Sequence, residues 1–268
     1  MERDGNGWAD CQCGSRHWGR HGAAGLFLIV EEHALLQLRP QWAHQGNTWG
    51  IPGGARDSHE TVIAAALREA QEETALDPGL VTVKGVHRLQ HLGWRFDTVI
   101  ATAAQRPKVS EHAETVSLDW VDLVDLPRWK LHPGFAQSLP ELLLPVVTLI
   151  VDAANVVGSR PDGWWRDRVG ATERLMTHLE QIAGRPVMMR GRRVLLGGVE
   201  VVVEGAAKAV PDVALDRLVR VVRASGSGDD AVVHRARSLS DVVVTSDRGL
   251  RARVPRTIPV SSLWEMLD

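Results

Sequence analysis

Several features common in secreted and membrane proteins are missing from this 268-residue chain. It has two cysteines, Cys11 and Cys13, which are too few for a disulfide framework. It has no run of about 18 apolar residues, the length that a membrane-spanning helix needs. Its first residues lack the basic start and apolar core of a signal peptide. We therefore expect a cytoplasmic protein with no membrane partner.

Length and charge indicate two domains. A chain of this size with 44% hydrophobic residues can fill two cores. Residues 1–145 carry 13 Lys+Arg and 18 Asp+Glu, a net charge of −5, and residues 146–268 carry 18 and 15, a net charge of +3. Seventeen of those 18 cations are arginine, the side chain best suited to phosphate. We predict domains at 1–145 and 146–268, with different partners.

The most informative motif is an acidic helix. Residues 60–74 are rich in Ala, Glu, Leu and Arg and contain no Gly or Pro, which predicts a helix. Glu72 and Glu73 follow Glu69 by three and four positions, so all three project from one face. Such carboxylates repel one another, and a divalent cation that prefers oxygen ligands, Mg²⁺ or Mn²⁺, is the usual compensation. Arg68 lies four residues before Glu72 and can hold a carboxylate in place.

The segment around this helix resembles the Nudix box. Gly53 and Gly54 permit a sharp turn that brings backbone close to the carboxylate face. From Gly54 the chain reads Gly, five residues, Glu, seven residues, Arg-Glu, one aliphatic position, any residue, Glu-Glu. It departs from the family pattern at two positions, where Ala75 replaces a glycine and Ala70 is a small version of the aliphatic residue.

That resemblance implies an α/β/α sandwich with a mixed sheet and metal-dependent hydrolysis of nucleoside diphosphate-linked compounds, including oxidised nucleoside triphosphates. Four residues would contribute to the metal site: Gly54, Glu69, Glu72 and Glu73. Glu60 and Arg68 would support them. Glu72 or Glu114 would take the proton of the attacking water. A solvated Glu114 is an equally weighted alternative.

Elsewhere in this half, two features have open interpretations. Two Cys and two His could bind zinc, and the candidates are Cys11, Cys13, His17 and His21. Their spacing is tighter than in common zinc fingers, which favours a short strand with buried thiols and predicts no structural zinc. Trp42 and Trp49 flank a polar loop, where either could stack on a nucleobase or simply pack. We also predict a strand hairpin at 25–38, with its turn at Glu31-Glu32-His33.

The second half alternates strands and helices. The apolar run 146–151, ending at Asp152, suits a central parallel strand that is covered on both faces. Helical patterns follow at about 166–183, 211–224 and 229–238, and strand patterns at about 194–203, 241–245 and 257–260. This order predicts a three-layer α/β domain with a parallel sheet.

Acidic residues recur where these strands end, the edge at which α/β sheets bind ligands. Asp152 ends the first strand, Glu204 the second, and Asp247 follows the strand at 241–245, while Asp229 and Asp230 open a helix. Two-metal phosphodiester cleavage uses such clusters. Singly, Asp229 could be a helix cap and Asp247 part of a turn.

Together these segments resemble the PIN-like NYN ribonuclease domain, especially its YacP-like branch. The matching segments are Val151-Asp152-Ala153-Ala154-Asn155, Val203-Glu204-Gly205, Gly228-Asp229-Asp230 and Val244-Thr245-Ser246-Asp247. The resemblance implies RNA as a partner and metal-dependent cleavage. The catalytic residues would be Asp152, Asp229, Asp230 and Asp247, and the metal ligands Asp152, Asp230 and Asp247. Glu204 stands where the family has Asp, one methylene shorter. The alternative is a nucleotide-sensing regulatory protein with an inactive nucleic-acid-binding second domain.

Overall fold

Two compact units, Met1–Leu143 and Leu144–Asp268, make up the computed structural model of the chain. The structure describes residues 3–111, 115–161 and 163–267. Within those residues, no helix combines the length and the apolar character needed to cross a membrane.

The first unit is built on a seven-stranded mixed sheet with two helices. A separate hairpin, β1 (Trp8–Asp10) and β2 (Arg16–Trp18), precedes it. The sheet strands are β3 (Ala23–Val30), β4 (His33–Leu38), β5 (Trp49–Gly50), β6 (Gly53–Ala55), β7 (Thr82–His91), β8 (Trp94–Thr102) and β9 (Ser117–Asp122). The helices are α1 (Val62–Thr74) and α2 (Pro133–Leu142).

Strand β3 is the centre of this sheet. It pairs in parallel with β8 and antiparallel with β4 and β6, which makes the sheet mixed, as predicted. The predicted hairpin is present, and Glu31 and Glu32 form its turn with φ of 50° and 63°. Positive φ at both turn residues matches the twist of the flanking strands.

Helix α1 presents the acidic motif. Thr61 caps its first turn by accepting a hydrogen bond from the Ala64 amide, and its buried side, which includes Val62 and Ala66, faces β3, β6 and β8. The helix ends at Ala75, which adopts the left-handed conformation with φ 55°. An alanine there costs about 1 kcal/mol relative to glycine. The departure from the family pattern is therefore tolerated without moving the end of the helix.

Helix α2 begins at an imidazole cap. His132 Nδ1 accepts a hydrogen bond from the Gly134 amide at 3.2 Å, which requires the neutral ring. Burial, together with the charges of Arg39 and His44, lowers the pKa of His132 from 6.5 to about 4. The folded state therefore holds fewer protons than the unfolded state between these two values.

This linkage gives a stability prediction. As pH falls from about 6.5 to about 4, the stabilisation from neutral His132 should be lost, since only the unfolded state takes up the proton readily. After allowance for partial exposure we expect a loss of about 1–2 kcal/mol. Thermal denaturation from pH 7 to 4.5 measures it in wild type and in His132→Asn, which retains a capping side chain. An identical decline in both proteins would contradict this role.

The second unit contains a six-stranded sheet. Its strands are β10 (Val146–Asp152), β11 (Pro186–Met189), β12 (Arg192–Val203), β13 (Val219–Arg223), β14 (Asp241–Val244) and β15 (Thr257–Ile258). Its helices are α3 (Ala153–Gly158), α4 (Arg168–Ile182), α5 (Gly228–Arg235), α6 (Arg248–Arg251) and α7 (Val260–Leu267).

The parallel strands of this sheet run in the order β13-β12-β10-β14-β15. The predicted parallel sheet is present, with one exception: β11 pairs antiparallel with β12 at the edge. Strands β11 and β12 form a hairpin whose turn residues, Arg190 and Gly191, have φ of 50° and 73°. From β10 the chain adds β12 and β13 on one side of the sheet, and then β14 and β15 on the other side. The strand order therefore reverses between β10 and β14.

The helix predicted at about 211–224 is wrong. Residues 219–223 form β13, which pairs in parallel with β12. Three of these five residues are valine, whose β-branched side chain favours a strand. Pairing with the long strand β12 fixes the extended conformation.

Candidate active sites

Arg68 organises the acidic face of α1. Its guanidinium forms a bidentate pair with Glu60, with Nε–Oε1 2.7 Å and Nη2–Oε2 2.9 Å. Nη1 also donates to Glu69 Oε1 at 2.6 Å, and Nη2 to the Ala55 carbonyl at 3.0 Å. These contacts join the helix to the end of β6. Arg68 therefore holds Glu60 and Glu69 in fixed positions, whereas the residue expected from spacing, Glu72, lies 3.4 Å away.

Glu60 and Arg68 stabilise each other's charged forms. Burial alone would raise the pKa of Glu60, but hydrogen bonds from Arg68 and from the Asp57 amide outweigh it and lower that pKa. The same contact with Glu60 is the largest cause of the raised pKa of Arg68. Both groups therefore stay charged.

Glu69 lies against the backbone at Gly54. Its side chain is 15% exposed, and burial raises its pKa. A methyl group added at Gly54 would lie 2.6 Å from Glu69 Oε2. The sequence predicted that glycine lets backbone approach the carboxylates here, and the close approach of Gly54 to Glu69 confirms it.

Glu73 is the most buried carboxylate of the three. Its Oε2 accepts hydrogen bonds from the Gly53 amide at 2.7 Å and from Gln37 Nε2 at 2.9 Å. Burial nevertheless raises the pKa of Glu73 to about 8, and the charge of Glu69 adds to the effect. Thr115 donates to Gln37 Oε1 at 2.9 Å and fixes the orientation of the amide. Sequence reasoning missed Gln37, whose one signal was a polar side chain within an apolar strand.

Glu72 is the outermost carboxylate, and its side chain is 37% exposed. It forms an ion pair with Arg3, near the start of the chain, and a weaker contact of 3.4 Å with Arg68. Arg3 was not predicted from sequence, because it lies 69 positions from Glu72. The face thus bears three carboxylates at different depths.

Other predicted site residues have varied positions. Glu114 lies outside the described residues. Trp49 packs edge-on against Trp129 at 4.7 Å between ring centroids, which favours the packing interpretation. Trp42 is 74% exposed and leaves a ring face open to solvent.

The contact between Gly54 and Glu69 gives a prediction. Gly54→Ala should leave folding nearly unchanged, because the added methyl meets a side-chain carboxylate and not backbone, but it should displace Glu69 from its position beside Arg68. If Glu69 serves a reaction, we expect activity to fall about 100-fold, since displacing one group by about 1 Å can cost that much. Melting temperature and turnover should be measured together, with Gly226→Ala as the control variant, because Gly226 is exposed and has open space around it. Normal turnover in Gly54→Ala would exclude a role for this approach.

In the second unit, Asp152 lies at the carboxyl end of β10. Its Oδ2 accepts a hydrogen bond from Thr245 Oγ1 at 3.0 Å, and its Oδ1 from the Asn155 amide at 3.2 Å. Asn155 Oδ1 in turn accepts from the Ser246 amide at 2.7 Å. Burial raises the pKa of Asp152, and the nearby charges of Asp229 and Glu204 add to the effect. The structure therefore brings the ends of β10 and β14 together.

The other predicted acids of this unit differ in their surroundings. Glu204 Oε2 accepts from the Gly228 amide at 2.8 Å, which holds it beside the start of α5. Asp247 caps α6 through the Leu250 amide at 2.7 Å, with its own amide bound to Thr245 Oγ1. Asp230 instead forms an exposed ion pair with Arg253. Its convergence on Asp152 stays a prediction.

Comparison with known proteins places the first unit in a family. A NUDIX domain model matches residues 19–142. A Mycobacterium tuberculosis protein named "Putative 8-oxo-dGTP diphosphatase 3" is 41% identical over 153 residues, which cover 52% of this chain and 69% of that protein. A "Nucleoside triphosphate pyrophosphatase/Nudix hydrolase fusion protein" of Bifidobacterium longum is 37% identical over 160 residues, covering 53% of this chain and 33% of that protein.

A solved structure is also similar. The Nudix hydrolase RenU of M. smegmatis is 42% identical and covers 52% of this chain and 92% of its own, with a TM-score of 0.48.

Proposed function

This chain belongs to the Nudix family, and we propose that its first unit hydrolyses nucleoside diphosphate-linked compounds, with oxidised nucleoside triphosphates among its substrates. The observation that carries the proposal is the acidic face of α1. One face of the helix carries Glu69, Glu72 and Glu73. Arg68 holds this face in place through hydrogen bonds to Glu60 and Glu69. The name of the M. tuberculosis relative supports oxidised nucleotides as the substrate class.

The donor set of this face fits a divalent cation. Glu69 is partly buried and Glu73 is buried, and burial raises the pKa of both carboxyl groups, so a bound cation would stabilise their charged forms. Hard oxygen donors of this kind suit Mg²⁺ or Mn²⁺. These two residues, Glu72 and the Gly54 carbonyl would hold the cation. When bound, it would offset the charge of the diphosphate and activate water.

We assign the remaining roles by position. Glu72 is the most exposed carboxylate of the three and can reach solvent, so it is suited to take a proton from the attacking water. Glu114 stays an alternative for this step. Arg39 would contact substrate phosphate, because it follows by two positions Gln37, whose side chain donates to Glu73, and extended chain places alternate residues on the same side.

The test is a screen of the purified full chain with Mg²⁺ against nucleotide sugars, dinucleotides and oxidised nucleotides. We expect hydrolysis of the phosphoanhydride bond in at least one class. If none of these classes is hydrolysed but the nucleotides still stabilise the protein against heat, the result would favour the alternative of a nucleotide-sensing regulatory protein.

Arg39 gives a further prediction. Arg39→Gln should raise KM for the nucleotide about tenfold or more, because a charge-assisted hydrogen bond to phosphate is worth about 1.5–3 kcal/mol. Arg128→Gln is the matched control, since its side chain is 79% exposed and pairs with Asp125 on the surface. Steady-state kinetics distinguish the two. An unchanged KM in Arg39→Gln would exclude phosphate binding by this residue.

For the second unit we propose metal-dependent cleavage of single-stranded RNA. The reversal of strand order between β10 and β14 supports it, because α/β sheets bind ligands at such points. Asp152 lies there, connected to the β14 end through Thr245 and close enough to Glu204 and Asp229 for their charges to raise its pKa. Arginine supplies 17 of the 18 cations in residues 146–268, which suits a polyanionic substrate.

A further inference from the structure

Four side chains with metal-binding atoms meet at the β1–β2 hairpin. The sulfur atoms of Cys11 and Cys13 and a ring nitrogen from each of His17 and His91 all lie within 4.8 Å of one another. Cys13 Sγ is 3.1 Å from His17 Nε2. This set differs from the one considered from sequence, because His91 replaces His21. His21 instead pairs with Asp4 at 3.4 Å.

The backbone explains why these residues meet. Strands β1 and β2 pair in the register Trp8↔Trp18, so the residues between them form a tight turn. The Gly14 amide donates to the Cys11 carbonyl within that turn, and Gly14 has φ 82°, which glycine adopts without strain. His91 ends β7, and the Gln12 amide donates to the neighbouring Leu92 carbonyl at 3.1 Å. Two separate turns are thus held together at this point.

The spacing is close to that of a tetrahedral zinc site. With Zn–S of ~2.3 Å and Zn–N of ~2.0 Å, the ligand atoms of a tetrahedron lie ~3.3–3.8 Å apart. The four atoms here need only small side-chain shifts to reach that arrangement. We propose that Cys11, Cys13, His17 and His91 bind one structural Zn²⁺.

The surroundings support metal binding. The Cys13 amide points to Cys11 Sγ at 3.4 Å, as a donor to a coordinated sulfur would. The His17 ring stacks on Trp94 at 4.3 Å and 14°, which fixes its orientation. Thiolate and imidazole ligands together select zinc over magnesium.

The expectation of buried thiols is wrong. Cys13 is exposed and Cys11 is half-buried, so neither is a simple core residue. The fourth ligand is distant in sequence, 74 positions beyond His17, and only folding brings it near. Spacing within the N-terminal segment therefore could not identify His91 as a member of this cluster.

The zinc would clamp the N-terminal hairpin to the β7–β8 turn. The segment just before this hairpin reaches the acidic face of α1, since Arg3 pairs with Glu72 and the Gly5 amide donates to Asp57 Oδ1 at 2.6 Å. The clamp thus holds the chain segment whose arginine contacts Glu72. Its role is structural and does not depend on the proposed hydrolysis.

Metal analysis of the full chain, purified without a polyhistidine tag from zinc-supplemented culture, tests the proposal. After dialysis against metal-free buffer we expect one zinc per chain by mass spectrometry, released when a mercurial reagent blocks the thiols. Cys13→Ser and His91→Ala should lose it. His21→Ala and His33→Ala should retain it, since neither residue belongs to the cluster.

Cobalt substitution keeps the proposal testable if a variant misfolds. Wild-type protein stripped of zinc and given Co²⁺ should develop thiolate-to-cobalt charge-transfer absorption and the strong visible bands of tetrahedral cobalt. Wild-type protein that carries no zinc and develops no such bands would overturn the proposal. So would a Cys11–Cys13 disulfide in freshly purified protein, or zinc retained at full stoichiometry in both Cys13→Ser and His91→Ala.

Discussion

Glu72→Gln is expected to reduce nucleotide hydrolysis at least about a thousandfold, a loss of about 4 kcal/mol in transition-state stabilisation. The substitution keeps the size and hydrogen-bonding capacity of the side chain but removes a charge from the carboxylate face. The side chain is 37% exposed and lies on the outer side of α1, so the core should be unaffected. Wild-type and variant turnover at saturating Mg²⁺, with circular dichroism and melting temperature, measure the two effects separately.

The control for this substitution is Glu31→Gln, which removes an exposed carboxylate from the β3–β4 turn. It should leave turnover within about twofold. Near-normal turnover in Glu72→Gln would refute the role of this residue. A large loss in both variants would show that the effect comes from net charge.

Asp152→Asn should abolish RNA cleavage while largely sparing RNA binding. Asp152 lies at the reversal of strand order with Glu204 and Asp229 nearby, so losing its charge removes the central metal ligand of the proposed site. End-labelled single-stranded RNA with Mn²⁺ or Mg²⁺ reports cleavage, and filter binding reports affinity. Both assays should use the full chain carrying Glu72→Gln, so that nucleotide hydrolysis does not contribute.

Glu173→Gln is the control, because it removes an exposed carboxylate from the middle of α4, away from the strand ends. Binding should weaken as salt rises, since phosphate contacts release counterions. If the chain that retains Asp152 also binds RNA without cleaving it, the cause would lie with Glu204, and Glu204→Asp should then restore cleavage. No binding at low salt would reject RNA as a partner.

The acidic face could be predicted because its residues are local. Helical geometry alone places Glu69, Glu72 and Glu73 together, whatever the rest of the fold does. Gln37 and Arg3 could not be found in this way, because they reach the helix only through strand pairing and the path of the N-terminal segment.

In the second unit, too, local segments could be predicted and contacts between distant segments could not. The strands at 146–152 and 241–244 were evident from continuous apolar runs. Residues 219–223 were assigned to a helix because valine and arginine fit both periods over so short a segment, and pairing with β12 decided the outcome. His91 was likewise out of reach of spacing arguments, since its neighbours Cys13 and His17 lie on another hairpin.

The most direct test of the central claim is nucleotide hydrolysis by the wild-type chain as Mg²⁺ is varied. Anion-exchange chromatography of an oxidised nucleoside triphosphate would follow the shorter phosphate products. We predict a saturable dependence on Mg²⁺, loss of activity after a chelator removes it, and recovery when Mg²⁺ alone is returned. The same rate with and without divalent cations would contradict the metal-binding role of the α1 carboxylates.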